Sequence, residues 1–388
     1  MPPFMHSSKQ HVPPIAIRPP PHLDFCVGHP GVPASRPRLV GTVEIRSPGK
    51  ILSISHVTIA LHRYESIHPP SAASLSSLKR EYSIIVGQEV LVFQAPGGHA
   101  DVVAMDLPFE LPFSTSHLDN PPPSVSLANG MCETSYQLVA VLYPSKGSII
   151  KFGMPVKIER FDLLSTWGMY NQPQTKAVDG SDHLITMEVA LPKTCIGPGD
   201  PLIAYIKLCP NPDWSKSRKI RISKLQSILE EIITFKLEKG EEITRRRKIL
   251  KDEFDLYDLK LPAAGFIRDI SCVFPSQLRL KRSPSGLKMN LTDCSATPSL
   301  VGITTQAALF SVEYTITVKA ILLRAKDISV TQAITVCPLD RSACLKAMSD
   351  IDDAVRQARI SENRPKELPQ SHIVTMVTNT PGKRILVE

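Results

Sequence analysis

The stretch Val312-Glu313-Tyr314-Thr315-Ile316-Thr317-Val318-Lys319-Ala320-Ile321-Leu322 decides the fold. Val312, Tyr314, Ile316, Val318, Ala320 and Leu322 recur at a period of two, with Glu313, Thr315, Thr317 and Lys319 between them. Successive side chains of a strand point to opposite faces, so this pattern predicts one long strand with a single buried face. A strand of that kind needs neighbours and a second layer, and the surrounding sequence supplies both.

Upstream, His183–Leu191 and Leu202–Leu208 read as strands joined through the turn Ile196-Gly197-Pro198-Gly199-Asp200. The first half of the chain has the same character. Leu39, Gly41, Val43 and Ile45 alternate, Ser47-Pro48-Gly49-Lys50 makes a turn, and Val57, Ile59 and Leu61 alternate again. Tyr82–Phe93 follows a Ser-rich loop at 66–78, and Val103, Met105, Leu107, Phe109, Leu111 and Phe113 keep period two through a region with two prolines. Asn120-Pro121-Pro122-Pro123-Ser124 then leads to Tyr136, Leu138, Ala140 and Leu142. A chain of 388 residues exceeds what one core usually serves, and 42% apolar content with 35 prolines suits two sandwiches. The expected architecture is all-β, two immunoglobulin-like sandwiches in tandem with a short C-terminal helix.

The expected boundaries are a disordered tail over 1–21, a first sandwich over 22–160, a linker over 161–182 and a second sandwich over 183–340. The tail over 341–388 carries an amphipathic helix at about 342–360, read from Leu345, Met348, Ile351 and Val355, and loosely ordered residues after it. One segment, 222–237, fits both periods: Leu225, Ile228, Leu229 and Ile232 have helical spacing, while Leu229, Ile233, Phe235 and Leu237 nearly have strand spacing. In the linker, Trp167 and Tyr170 are candidates for an interdomain packing anchor, because large aromatics bury apolar area where two sandwiches meet.

No apolar run approaches the roughly 18 to 20 residues of a membrane helix. The start MPPFMHSSKQHVPP lacks the apolar core of a secretory signal. Eight scattered cysteines form no C-x-x-C pair, which suits reduced thiols in a cytoplasmic protein. G-x-S-x-G, H-E-x-x-H, Walker A and G-x-G-x-x-G patterns do not occur. The eleven histidines lack ligand spacing, so no catalytic residue, cofactor or metal is expected.

Charge is unevenly distributed. Residues 206–251 hold thirteen Lys or Arg against six Asp or Glu, which nearly accounts for the net +8 of the chain. The excess lies in Lys216, Arg218, Lys219, Arg221 and Lys224, and again in Arg245, Arg246, Arg247 and Lys248. Such a run is either a solvated face or a docking site for acidic or phosphorylated peptide or anionic lipid. Nucleic acid is not expected as a partner, since aromatics make up 6% and no reading motif is present.

Several phrases in order resemble the arrestin superfamily, and specifically the α-arrestins or arrestin-related trafficking adaptors of fungi. In the first half these are Val40-Gly41-Thr42-Val43-Glu44-Ile45, Ile54-Ser55-His56-Val57-Thr58-Ile59-Ala60-Leu61, Leu107-Pro108-Phe109-Glu110-Leu111-Pro112 and Tyr136-Gln137-Leu138-Val139-Ala140. In the second half they are Ile185-Thr186-Met187-Glu188-Val189-Ala190-Leu191-Pro192, Pro198-Gly199-Asp200, Lys219–Ile222 and Val312–Val318. The resemblance spans roughly 23–340 and implies that 222–237 is a strand.

It also implies an adaptor that binds cytosolic tails of transporters or receptors, acts transiently at the plasma membrane or endosomes, and links cargo to a HECT-type ubiquitin ligase. Most α-arrestins recruit the ligase through Pro-Pro-x-Tyr, a polyproline II ligand for WW domains. Here no proline pair is followed by tyrosine at the required position, so a ligase would have to be reached through a second adaptor. A retromer-type or pH-signalling arrestin scaffold without ligase recruitment is the alternative. A β-sandwich hydrolase is a lesser one, requiring two carboxylates about 5 to 9.5 Å apart that the sequence does not place.

Overall fold

The computed structural model describes residues 14–47, 51–69, 79–113, 121–127, 130–168, 172–275, 302–362, 370–378 and 384–387. The chain is almost all β. The first unit contains β1 (Ile15–Arg18), β2 (Cys26–Val27), β3 (Arg38–Arg46), β4 (Leu52–Ile67), β5 (Arg80–Gln94), β6 (Ala100–Pro112), β7 (Val125–Ser126), β8 (Cys132–Pro144) and β9 (Ile150–Val156). One layer sets β4 between β5 and β8, with β9 beside β8. The other sets β3 between β1 and β6. Leu52–Ile54 of β4 pairs with Ala100–Val102 of β6 and joins the layers at a corner. Val43, Ile45, Ile59, Leu107, Phe109, Leu138 and Ala140 meet in a core between them, each no more than 2% exposed.

The second unit begins with β10 (Gln174–Asp179), β11 (Ile185–Leu191), β12 (Cys195–Ile196), β13 (Pro201–Pro210), β14 (Arg221–Lys236), β15 (Glu242–Lys260) and β16 (Phe266–Val273). It continues with β17 (Thr305–Gln306), β18 (Phe310–Leu323) and β19 (Ile328–Val336). A four-stranded layer in the order β10-β11-β13-β16 faces a layer in the order β12-β19-β18-β14-β15. All six alternating residues from Val312 to Leu322 are buried on β18, as period two requires. The segment that fits both periods is β14, held along its length by β15 on one side and β18 on the other. Pairing on both edges satisfies its backbone, and this outweighs the local helical spacing.

Four expectations are corrected. Residues 15–18 are not a disordered tail: Ile15 and Ile17 are each 1% exposed, because β1 pairs with β3 and drops them into the first core. The linker over 161–182 is shorter than expected, since β10 already belongs to the second unit, paired with β11 from Gln174 to Asp179. Beyond the helix α1 (Arg341–Glu362), β20 (His372–Thr378) and β21 (Arg384–Val387) form a hairpin, and β20 pairs with β6 of the first unit. Within α1 the buried stripe is Cys344, Ala347, Ile351, with Met348 and Val355 beside it, while Leu345 is 55% exposed. Met348, Ile351 and Val355 thus pack as the spacing predicts, and of the four expected residues only Leu345 turns outward, Cys344 and Ala347 filling that end of the stripe. Asp340 starts this helix, its Oδ1 accepting from Ala343 N at 2.8 Å.

Candidate functional site

The basic residues do not make one surface. β14 and β15 form a long antiparallel ribbon in which Arg221 lies opposite Lys260 and Ile232 lies opposite Arg246. At about 3.3 Å of rise per residue the two clusters stand roughly 35 Å apart, one at each end of the ribbon. The sequence lists them in one run because the hairpin's two arms are adjacent in sequence only at its turn.

Arg245, Arg246, Arg247 and Lys248 lie at the end that meets the first unit, and two of them are already engaged by acids. Arg247 Nη2 lies 2.8 Å from Glu231 Oε1, and Glu231 is a buried carboxylate at 1% exposure. The Tyr314 hydroxyl donates to Glu231 Oε2 at 2.9 Å, so this carboxylate is held by a cation and a donor together. Burial, with the Glu231 charge second, pushes the Tyr314 phenol well up. Arg246 is more loosely placed, 3.9 Å from Glu230 with most of its side chain in solvent. Arg245 reaches Met131 of the first unit.

That contact is part of a continuous seam. Ile67, Leu127 and Cys132 of the first unit are buried in the core of the second. Glu65 Oε2 accepts from Leu309 N at 2.9 Å, and Arg80 Nη1 donates to Lys236 O at 3.0 Å. Burial pushes the Cys132 thiol up to about 12, and the Glu231 charge across the seam adds to it. Trp167 packs in a separate cluster with Val32, Leu164, Cys195, Cys337 and Ile351, where the first unit, the connection, the second unit and α1 converge. Tyr170 lies outside the described residues.

The other cluster sits at the far end of the second unit. Lys216, Arg218 and Lys219 are carried by a short 3-10 turn over Ser215–Lys219, tied by Ser217 Oγ to Trp214 O at 2.7 Å. All three cations are exposed, and among the described residues none has a carboxylate within ion-pair distance. Arg221 and Lys260 flank them, and Arg221 Nη1 reaches Asp258 O at 3.5 Å. Lys224 is instead paired with Glu253 at 3.2 Å. Apolar groups share this end: Trp214 is 50% exposed, Tyr257 91%, and Leu259 and Leu323 lie beside the Arg221 register. A cleft of about 410 Å³ between Pro212, Arg218 and Pro262 opens there. Unpaired cations beside exposed aromatics can hold an anion while inserting a ring into an adjoining apolar layer. The aromatic half of this surface was not singled out in the sequence, since Trp214 and Tyr257 are 43 residues apart.

Among the described residues no group of three or more His, Cys, Asp or Glu is arranged to hold a metal ion, and no helix is long and apolar enough to cross a membrane. No family model and no curated protein matches the chain.

Proposed function

We propose that this chain is a non-enzymatic adaptor with two arrestin-like sandwiches in tandem, which engages acidic cytosolic tails of membrane proteins at an anionic membrane face. The carrying observation is the far end of the second unit, where Lys216, Arg218 and Lys219 have no acidic partner and Trp214 stands exposed beside them. Phosphate or carboxylate groups fit those cations, and a basic residue near an acidic leaflet contributes on the order of 1 kcal/mol. The cluster at the seam serves this role less well, because Arg247 is committed to Glu231. The site residues are therefore Lys216, Arg218, Lys219 and Arg221, with Lys224, Arg245, Arg246, Arg247 and Lys248 secondary. Residence is cytoplasmic, with transient recruitment to the plasma membrane or endosomes and delivery of cargo to ubiquitin-dependent sorting.

A second reading is a retromer-type or pH-signalling scaffold that assembles protein partners without a ligase. The absence of Pro-Pro-x-Tyr from the sequence favours it. A HECT-type ligase, in the first reading, is reached through another adaptor.

The test is fluorescence anisotropy of the purified chain with an acidic phosphopeptide and its neutral counterpart, in the presence of vesicles with and without anionic lipid. Binding of the acidic peptide that weakens with salt and is lost in K216E/R218E/K219E supports the reading. Equal binding of both peptides, or a variant that binds like wild type, overturns it. Recovery of a ligase with cargo from cells separates the two readings.

A further inference from the structure

We propose that the cleft at the far end of the second unit selects acidic peptides that carry a bulky apolar side chain beside their carboxylates, a specificity that charge alone does not supply. The inference rests on the adaptor reading and adds a ligand class to it. The cleft, of about 410 Å³, lies between the stretches 210–218 and 260–263. That volume is at the small end of ligand cavities, which run from roughly 300 to 1,000 Å³. Pro210 and Pro212 line it from the first stretch, and Leu261, Pro262 and Ala263 from the second, so its walls are rings and aliphatic carbons. Leu261, at 3% exposure, ties this floor to the core beneath. The Ser217 hydroxyl, which also borders the cleft, is already committed to Trp214 O at 2.7 Å.

Both stretches are tied down before a ligand arrives. On one side Trp214 N donates to Asn211 O at 3.4 Å and Ser217 N to Trp214 O at 3.0 Å. On the other, Leu261 N donates to Ile220 O and Gly265 N to Pro262 O, each at 3.0 Å. A preformed cleft spares a ligand the cost of ordering it. Arg218 and Lys260 mark the rim, one from each stretch. Both are exposed, and among the described residues neither has a carboxylate within ion-pair distance. Lys260 also stands directly opposite Arg221 in the β14–β15 register, cation against cation. Like charges so placed repel, and a bound anion removes the repulsion. A carboxylate on the rim sets the neighbouring side chain of the same peptide over the apolar walls. A bilayer is flat and meets the rim cations without filling the floor, so the concave shape favours peptide over lipid.

The experiment is fluorescence anisotropy on the full chain with a labelled glutamate peptide carrying one central phenylalanine, and with an equally charged peptide carrying serine in that place. Wild type binds the phenylalanine peptide at least about tenfold tighter, since the ring leaves water. Ala263→Trp fills the cleft from an exposed turn and removes that preference, with a circular-dichroism melt like that of wild type. Arg218→Glu combined with Lys260→Glu weakens the phenylalanine peptide and flattens its salt dependence. Equal binding of the two peptides by wild type, or an undiminished preference in folded Ala263→Trp, overturns this inference and leaves the adaptor reading standing. If neither peptide binds, the adaptor reading falls with it, and anionic vesicles that still sediment with the chain would then make the surface a lipid site.

Discussion

Glu65, at the end of β4 in the first unit, accepts the backbone N–H of Leu309 in the second unit through Oε2 at 2.9 Å. Its other oxygen lies 3.1 Å from Arg63 Nε, with the glutamate side chain fully buried. One side chain thus neutralises a cation in its own unit and closes a backbone donor of the other. Glu65→Ala removes both and leaves the Leu309 N–H buried without an acceptor, at a cost of about 1 to 3 kcal/mol. Glu65→Gln keeps a carbonyl acceptor for that N–H and loses only the charge, so it is the milder change. Urea melts of both variants check the order. Equal losses would mean that the contact to Arg63, not the one across the seam, carries the effect.

Adjacent arginines on β15 should differ sharply. Arg247→Met strands the buried Glu231 carboxylate with Tyr314 as its remaining donor, while Arg246→Met gives up an exposed pair. The expected destabilisation is about 3 kcal/mol for the first, and under about 1 kcal/mol for the second. Double substitution with Glu231→Gln should recover part of the first loss, since the charge that needed Arg247 is gone. Denaturant midpoints of the four proteins measure it.

His29 stands edge-on to Phe161 at 4.8 Å between ring centroids. Burial lowers its pKa below 6.5, and the opposing pull of Asp350 from α1 does not offset it. The unfolded chain therefore takes up a proton that the folded ring resists. Stability from this group is fully present above about pH 6.5 and declines as pH falls from there toward the folded pKa. His62 adds in the same direction, again through burial, with Glu89 opposing. Thermal melts at pH 7.5 and 5.5 should show a lower Tm at the acid pH, and His29→Gln should narrow the gap. An unchanged gap in that variant would assign the slope to other groups.

The cores were legible because they follow period two without interruption, as Val312 to Leu322 and Tyr136 to Leu142 show. β1 was not, since Ile15 and Ile17 are only two apolar residues in a proline-rich setting, too few to reveal that β3 offers them an edge. β20 was hidden for the same reason, its partner β6 lying more than 250 residues away. At the candidate site the charge excess was visible and its division was not. Whether Arg247 meets solvent or Glu231 depends on the register of β14 with β15, which composition does not carry. Glu65 and Glu231 gave no signal at all, because a glutamate in an alternating strand reads as an outward residue unless the neighbouring unit covers it.

The thiols offer a test of how tightly α1 is held. Cys337 Sγ lies 3.9 Å from Cys344 Sγ, with Cys195 completing the group beneath the helix. The hydrogen bond with Cys195 and then burial push the Cys337 thiol up to about 11, and its contact with Cys337 and burial push Cys344 higher still. Only thiolate reacts with an alkylating reagent. At pH 8 a thiol near 11 presents about a hundredfold less thiolate than one at 9.0, before limited access slows it further. Native protein treated with iodoacetamide should therefore leave Cys337 and Cys344 unlabelled, with full labelling in denaturant, read residue by residue by mass spectrometry. Ile351→Ala removes an apolar contact from the same cluster and should speed labelling of both while Cys132, buried at the distant seam, stays protected. Simultaneous exposure of all three would show that α1 opens only when the whole protein unfolds, and rapid labelling of Cys344 in the wild type would show that the helix lifts from its seat unaided.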